Sequence, residues 1–108
     1  MLDLDLLASE LDFDRDDVVM LLEMFLEGAQ VSLANMEEAI ETNDITAISQ
    51  EAHAIKGSAA NMMLADIVDI ANDLEVSAKQ NKKINYLSLY TKLESMVEEL
   101  GAISFETA

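Results

Sequence analysis

Apolar residues recur along this chain in steps of three and four, the repeat that lines one side of an α-helix. The segment LDLLASEL opens the pattern with Leu4, Leu7 and Leu11 and predicts a short first helix. Asp12 and Asp14 follow as candidate N-caps, and Asp16 and Asp17 place negative charge in the first turn of a second helix. That helix carries Val18, Leu22, Phe25, Ala29, Leu33, Met36 and Ile40, and is expected to reach about Thr42 with Asn43 as its stop. Asp44 then caps a third helix, striped by Ile45, Ile48, Ala52, Ile55, Ala59 and Met62.

No glycine or proline marks the end of the third helix, so the pattern itself has to. Extending its stripe lands on Asp66, Asp69 and Asp73, which cannot face a core without partners. The apolar set restarts instead as Leu64, Ile67, Ala71, Leu74 and Ala78, rotated by about a quarter turn at 100° per residue. A break is therefore expected between Asn61 and Ala65. The chain turns again at KQNKKIN, and a last helix uses Tyr86, Leu89, Leu93, Met96 and Leu100, with Gly101 as its expected end. Helices joined by such short connections are antiparallel neighbours. The expected fold is all-α: an up-down antiparallel four-helix bundle with a short extra N-terminal helix, forming one domain over residues 1–108.

Composition sharpens this picture. The 108 residues include no proline and only 3 glycines, which suits long helices, and 7 methionines with no tryptophan, which implies an aliphatic core. The formal net charge is −16, from 22 acids against 6 bases. That excess repels nucleic-acid phosphates and anionic lipid surfaces, so neither is an expected partner. No apolar run has the length of a membrane span and no signal-peptide pattern opens the chain, so membrane insertion is not expected and a cytoplasmic location is. With no cysteine, disulfides and thiolate metal sites are excluded.

Several familiar chemistries fail on inspection. Asp12, Asp14, Asp16 and Glu23 imitate the ligand spacing of a calcium-binding EF-hand loop, but Asp17 stands where the loop needs glycine and the following residues read as helix. Di-iron bundles require Glu-x-x-His on two helices, whereas this chain has one histidine and Gln50 three residues before it. There is no zinc motif and no nucleophile elbow. No metal site is expected. Lys79, Lys82, Lys83 and Lys92 read as loop and helix surface.

The single histidine lies in EAHAIKGSAAN, Glu51 to Asn61. On the helical wheel His53 points about 130° from the core stripe, toward solvent. Thr46, Ser49, Gln50, Lys56, Gly57 and Ala60 surround it, none of them acidic, and no carboxylate occurs from Ala52 to Ala65. Gly57 lies one turn beyond His53 inside a helix, where glycine costs about 1 kcal/mol relative to alanine. Because that face leaves the core, the glycine is read as clearance for something that approaches the imidazole. Lys56 brings a cation beside the ring. An exposed nitrogen nucleophile, a cation and an open approach suit phosphoryl transfer through a phosphohistidine. A carboxylate in this patch would oppose both the neutral ring and the incoming phosphoryl charge.

AHAIKGSAAN resembles the signature of histidine-containing phosphotransfer (HPt) domains, commonly written H-x-L-K-G-S-S. His53 matches the phosphoacceptor, Ile55 the apolar position, Lys56 the charge-stabilising lysine, and Gly57 with Ser58 the small pair. LDFDRDDVVMLLEMFL is similar to the family's second helix, and LADIVDIANDLE to the arm after the motif. Ala59 departs from a frequent serine, and Met63 stands where the family usually has glycine at a helix-helix turn. The resemblance implies a phosphoryl carrier, not an enzyme, that passes the group between receiver-domain aspartates in a two-component relay. Its partners would be response-regulator receiver domains or a hybrid histidine kinase. No cofactor is implied on this chain, since Mg²⁺ would sit on the receiver. Ser49, Gly57, Ser58, Ala60 and Met63 are the expected docking residues. Two other readings are a bundle that docks receivers without accepting phosphate, and the substrate domain of a chemotaxis-type kinase.

Overall fold

Aspartate side chains start the helix that carries the candidate histidine and the helix before it. In the computed structural model, which describes the backbone of residues 4–107 and the side chains of residues 4–102, the chain forms five helices. They are α1 (Leu4–Leu11), α2 (Arg15–Glu41), α3 (Ile45–Asn61), α4 (Ala65–Lys79) and α5 (Tyr86–Thr107). Asp14 accepts a hydrogen bond from the Asp17 N–H at 2.9 Å, and Asp44 accepts from the Ala47 N–H at 3.1 Å. Each satisfies a donor that a helix start leaves without a partner. Asp12 is no cap: it adopts φ 60 in the turn that ends α1.

Three residues separate α2 from α3 and α3 from α4, and six separate α4 from α5. Connections this short reverse the chain, so sequence neighbours run antiparallel. Helix α2 packs on α3 and α5, and α4 packs on the same two, which closes a ring of four; α1 lies against α2. Tyr86 fastens the longest connection, its hydroxyl donating to the Lys82 carbonyl at 2.7 Å.

The core follows the apolar stripes. Val18, Leu22, Phe25, Ala29, Leu33 and Met36 of α2 are buried against Ile48, Ala52, Ile55 and Ala59 of α3 and Ile67, Ala71, Leu74 and Ala78 of α4. The break falls where the change of stripe placed it: α3 ends at Asn61 and α4 begins at Ala65. Two details differ from expectation. Gly101 does not end α5, which continues to Thr107. A glycine stops a helix by taking positive φ, and no glycine here does. In α5, Tyr90 and Val97 are buried while Leu89 and Met96 are only half-buried. Tyr90 can face inward because its hydroxyl finds polar partners at the rim: Glu37 Oε2 at 2.9 Å and Glu94 Oε2 at 3.0 Å. Burial first, and then these two carboxylates, push its phenol above the ordinary range. Among the described residues no helix is long and apolar enough to cross a membrane.

Candidate functional site

His53 projects from the middle of α3 on the side facing α4, and its side chain is 66% exposed. Its ring is not free-standing. Nδ1 lies 2.8 Å from Oε2 of Glu75, a residue of α4 whose side chain is only 2% exposed. Lys56 of α3 pairs with Oε1 of the same carboxylate, and Lys79 of α4 pairs with Oε2 at 2.8 Å. Glu75 is the only buried charged residue among those described. It survives there because three partners surround it, as a buried carboxylate requires.

The lysines also fix its protonation state. The bond to Lys56, then that to Lys79, lower the Glu75 pKa from 4.5 to about 2 against the opposing effect of burial, with His53 adding to the lowering. At neutral pH the carboxylate is therefore ionised and can only accept hydrogen bonds. The proton between Glu75 and His53 must then sit on Nδ1. In the neutral ring this leaves Nε2 as the nitrogen with a lone pair.

This arrangement corrects one expectation. The carboxylate-free stretch around His53 is real along α3, but α4 supplies a carboxylate in space. That carboxylate lies against the ring at Nδ1. Its charge is offset by two cations, and it selects a tautomer. Lys56, expected to bring a cation beside the imidazole, is 29% exposed and pairs with Glu75. Lys79, read as ordinary surface, joins the site while remaining 63% exposed. A groove of about 300 Å³ lined by Ser49, Gln50, His53, Glu75 and Lys79 opens beside the ring.

The remaining candidates divide between two sides of α3. Ser49 is in the histidine's groove. Ser58 lies on the other side, in a small pocket of about 130 Å³ with Phe25, Gly28, Ala29, Ser32, Ala54 and Ile55. Gly57 and Ala60 are exposed between these sides, and Met63 is exposed beyond them. A Cβ on Gly57 would meet no atom within 4 Å, so no packing inside the chain calls for glycine there. The same holds for Gly28, on the neighbouring helix, which sequence reasoning passed over.

Glu75 too was missed, although a signal existed. It sits about 60° from the middle of the α4 stripe, at the edge of the buried face, and four residues before Lys79. Lys56 occupies a similar edge of α3. Two opposite charges at facing edges of adjacent helices are placed to meet.

The profile of the Hpt domain family matches residues 20–103, most of the chain and all of this site. The chain belongs to the Hpt domain family. This family serves histidine phosphotransfer in two-component signalling, alongside receiver domains and histidine kinases, as a phosphoryl carrier rather than a catalyst. The Hpt fold is supported independently. The chain is similar to the crystal structure of histidine-containing phosphotransfer protein B (HptB) from Pseudomonas aeruginosa PAO1, with a TM-score of 0.85 and 24% identity. That likeness covers 98% of this chain and 92% of the other. No curated protein matches the sequence.

Proposed function

We propose that His53 is the phosphoacceptor of this Hpt domain and that it reacts through Nε2. The observation that carries the reading is the Nδ1 contact with a buried, ionised Glu75, which leaves the other nitrogen nucleophilic. In the reaction the Nε2 lone pair attacks the phosphorus of an aspartyl phosphate on a receiver domain. The N–P bond forms as the acyl P–O bond breaks, and the aspartate leaves as a carboxylate. The ring becomes a phosphoimidazolium whose Nδ1–H still donates to Glu75, which stabilises the added positive charge. Onward transfer to a second receiver reverses these bonds. Lys56 keeps the carboxylate ionised, and Lys79 holds a solvent-facing cation over the same groove, where phosphoryl oxygens arrive.

The partner supplies the phosphorylated aspartate and the Mg²⁺ that neutralises its oxygens; this chain contributes the nucleophile and its orientation. Gly57 and Gly28 leave the outer surfaces of α3 and α2 without side chains at two levels, giving a receiver's backbone a close approach. The relay operates in the cytoplasm.

The test is label transfer. Incubation with a ³²P-phosphorylated receiver domain, or with the small donor phosphoramidate, should place acid-labile, base-stable phosphate on the chain. His53→Gln should abolish it while the helical signal and unfolding midpoint stay close to wild type, because glutamine is a good helix former at an exposed position. Undiminished labelling of that variant would overturn the assignment.

A further inference from the structure

Four helix ends in this chain share one hydrogen-bonding pattern. Asp12, Asn43, Met63 and Asn81 each take φ between 53 and 60, with the N–H of each bonded to the carbonyl three residues back. The next N–H in every case bonds to the carbonyl five residues back, as in Leu64 to Ala59 at 3.0 Å. Left-handed backbone is tolerated by asparagine and aspartate, whose short side chains bond locally, and is disfavoured for residues with longer side chains. Three of the four positions follow that rule. Met63 breaks it.

The turn's two hydrogen bonds are the same as at the other three helix ends, without the local side-chain bond that asparagine or aspartate can add. Met62 and Leu64 on either side are buried, but Met63 itself is 51% exposed. A disfavoured backbone conformation that holds a half-exposed apolar side chain is a combination found most often at functional sites. Its place suggests which function. Met63 lies two residues past the end of the helix whose outward face carries His53, Gly57 and Ala60, about 15 Å beyond the histidine by the rise per residue. A standard interface covers about 800 Å² per partner, a disc of about 16 Å radius, so a partner centred on His53 reaches Met63.

We infer that Met63 is a docking contact for the receiver domain, and that burial of its thioether in the complex offsets the strain of the free chain. The inference rests on His53 as phosphoacceptor. Charge favours this occupant: in a chain of net charge −16, residues 52–65 carry Lys56 and no carboxylate. Lys79 stands exposed beside them, and the Glu75 carboxylate that both lysines meet is buried beneath the surface. The acid-rich, Mg²⁺-binding rim around a receiver's aspartate is accepted here and repelled elsewhere. A second copy of the chain brings its own negative charge. Methionine suits the contact, being flexible enough to fit an apolar surface of varied shape.

The experiment uses three variants and a receiver domain from the same organism, chosen because its phosphorylated form transfers to the wild-type chain. Met63→Asn should raise the thermal midpoint of the free protein by roughly 4 °C by relieving the backbone. It should also raise the half-saturating receiver concentration about tenfold. Met63→Gly should do the same. Met63→Leu keeps an apolar side chain and should stay within about threefold of wild type in that concentration. Labelling by phosphoramidate, which needs no docking, should be equal in all of them. An unchanged half-saturating concentration for Met63→Asn overturns the inference, as does an equal loss for Met63→Leu. A wild-type dimer that Met63→Asn dissociates would assign the residue to self-association instead. Failure of the phosphoacceptor reading has a different signature: no base-stable label on wild type from either donor, which removes this inference with it.

Discussion

Carboxylates meet a polar ring on two opposite faces of the bundle, and the two meetings are balanced differently. Between α3 and α4, one buried carboxylate touches His53 and is held by two ammonium groups, Lys56 and Lys79. Between α2 and α5, the Tyr90 hydroxyl faces Glu37 and Glu94 with one proton for two carboxylates, in a groove of about 400 Å³ that no cation lines. The first cluster fixes where a proton sits, because its acceptor is ionised and its charges are compensated. The second pins two helices together at their rim, where water solvates the carboxylates that the phenol cannot serve. A ring beside a carboxylate is therefore not enough to make a reactive site. The surrounding cations decide what the carboxylate can do.

The largest departure from this contrast should come from Glu75→Gln. The amide can donate as well as accept, so it no longer requires the proton on Nδ1, and it leaves both lysines without their counter-charge. We expect phosphoryl acceptance to slow on the order of tenfold to a hundredfold, less than when a group touching the reacting oxygens is lost. The ¹⁵N shifts of the His53 ring should show a mixed tautomer population. Stability should fall by about 1–2 kcal/mol, below the cost of a fully buried pair because Lys79 and His53 reach solvent. Acid provides a second reading. A carboxyl at 4.5 in the unfolded chain and about 2 in the folded one contributes its stability in full above pH 4.5, and loses it as the pH falls toward 2. Unfolding curves across that window should be flatter for Glu75→Gln than for wild type.

The lysines sharpen the same comparison with smaller effects. Lys56→Met should slow transfer roughly fivefold, since the better-sheltered cation is lost while the apolar stem is kept. Lys56→Arg should recover most of the rate, its planar head fitting the carboxylate with a different geometry. Lys79→Met should cost roughly twofold, because its ammonium is mostly solvated. Equal rates for Lys56→Met and wild type would sever the lysine from the chemistry.

The smallest effect belongs to the other face. Tyr90→Phe removes the phenol oxygen from between Glu37 and Glu94, and should lower stability by no more than about 1 kcal/mol. Label uptake should not change. A clear loss of transfer in this variant would mean that the two faces are coupled through the core.

The helices were legible because their signals are local. Asp14 and Asp44 cap as any reader of the sequence expects, and the jump of the apolar stripe after Met62 locates a break that no glycine marks. Gly101 misled because a residue type permits a backbone conformation without imposing it. The site was legible only along α3. His53, Lys56 and Gly57 share one helix and a recognisable spacing, whereas Glu75 and Lys79 arrive from α4 by tertiary packing, 22 and 26 residues further on. Reading α3 alone therefore picked out the histidine and one of its lysines, and missed the carboxylate and the second lysine that α4 brings to them.

Glu75 also ties reactivity to the integrity of the fold. A chain in which α4 has peeled away still displays the whole AHAIKGSAAN motif on α3, yet its imidazole has lost the acceptor that holds the proton on Nδ1. If His53 accepts the phosphoryl group as proposed, such a molecule would be a poor acceptor even though every signature residue is present. On the same proposal, half-assembled copies would be excluded from the relay without any separate inspection. The three-residue hinge between α3 and α4, Met62 to Leu64, is the joint on which that exclusion turns.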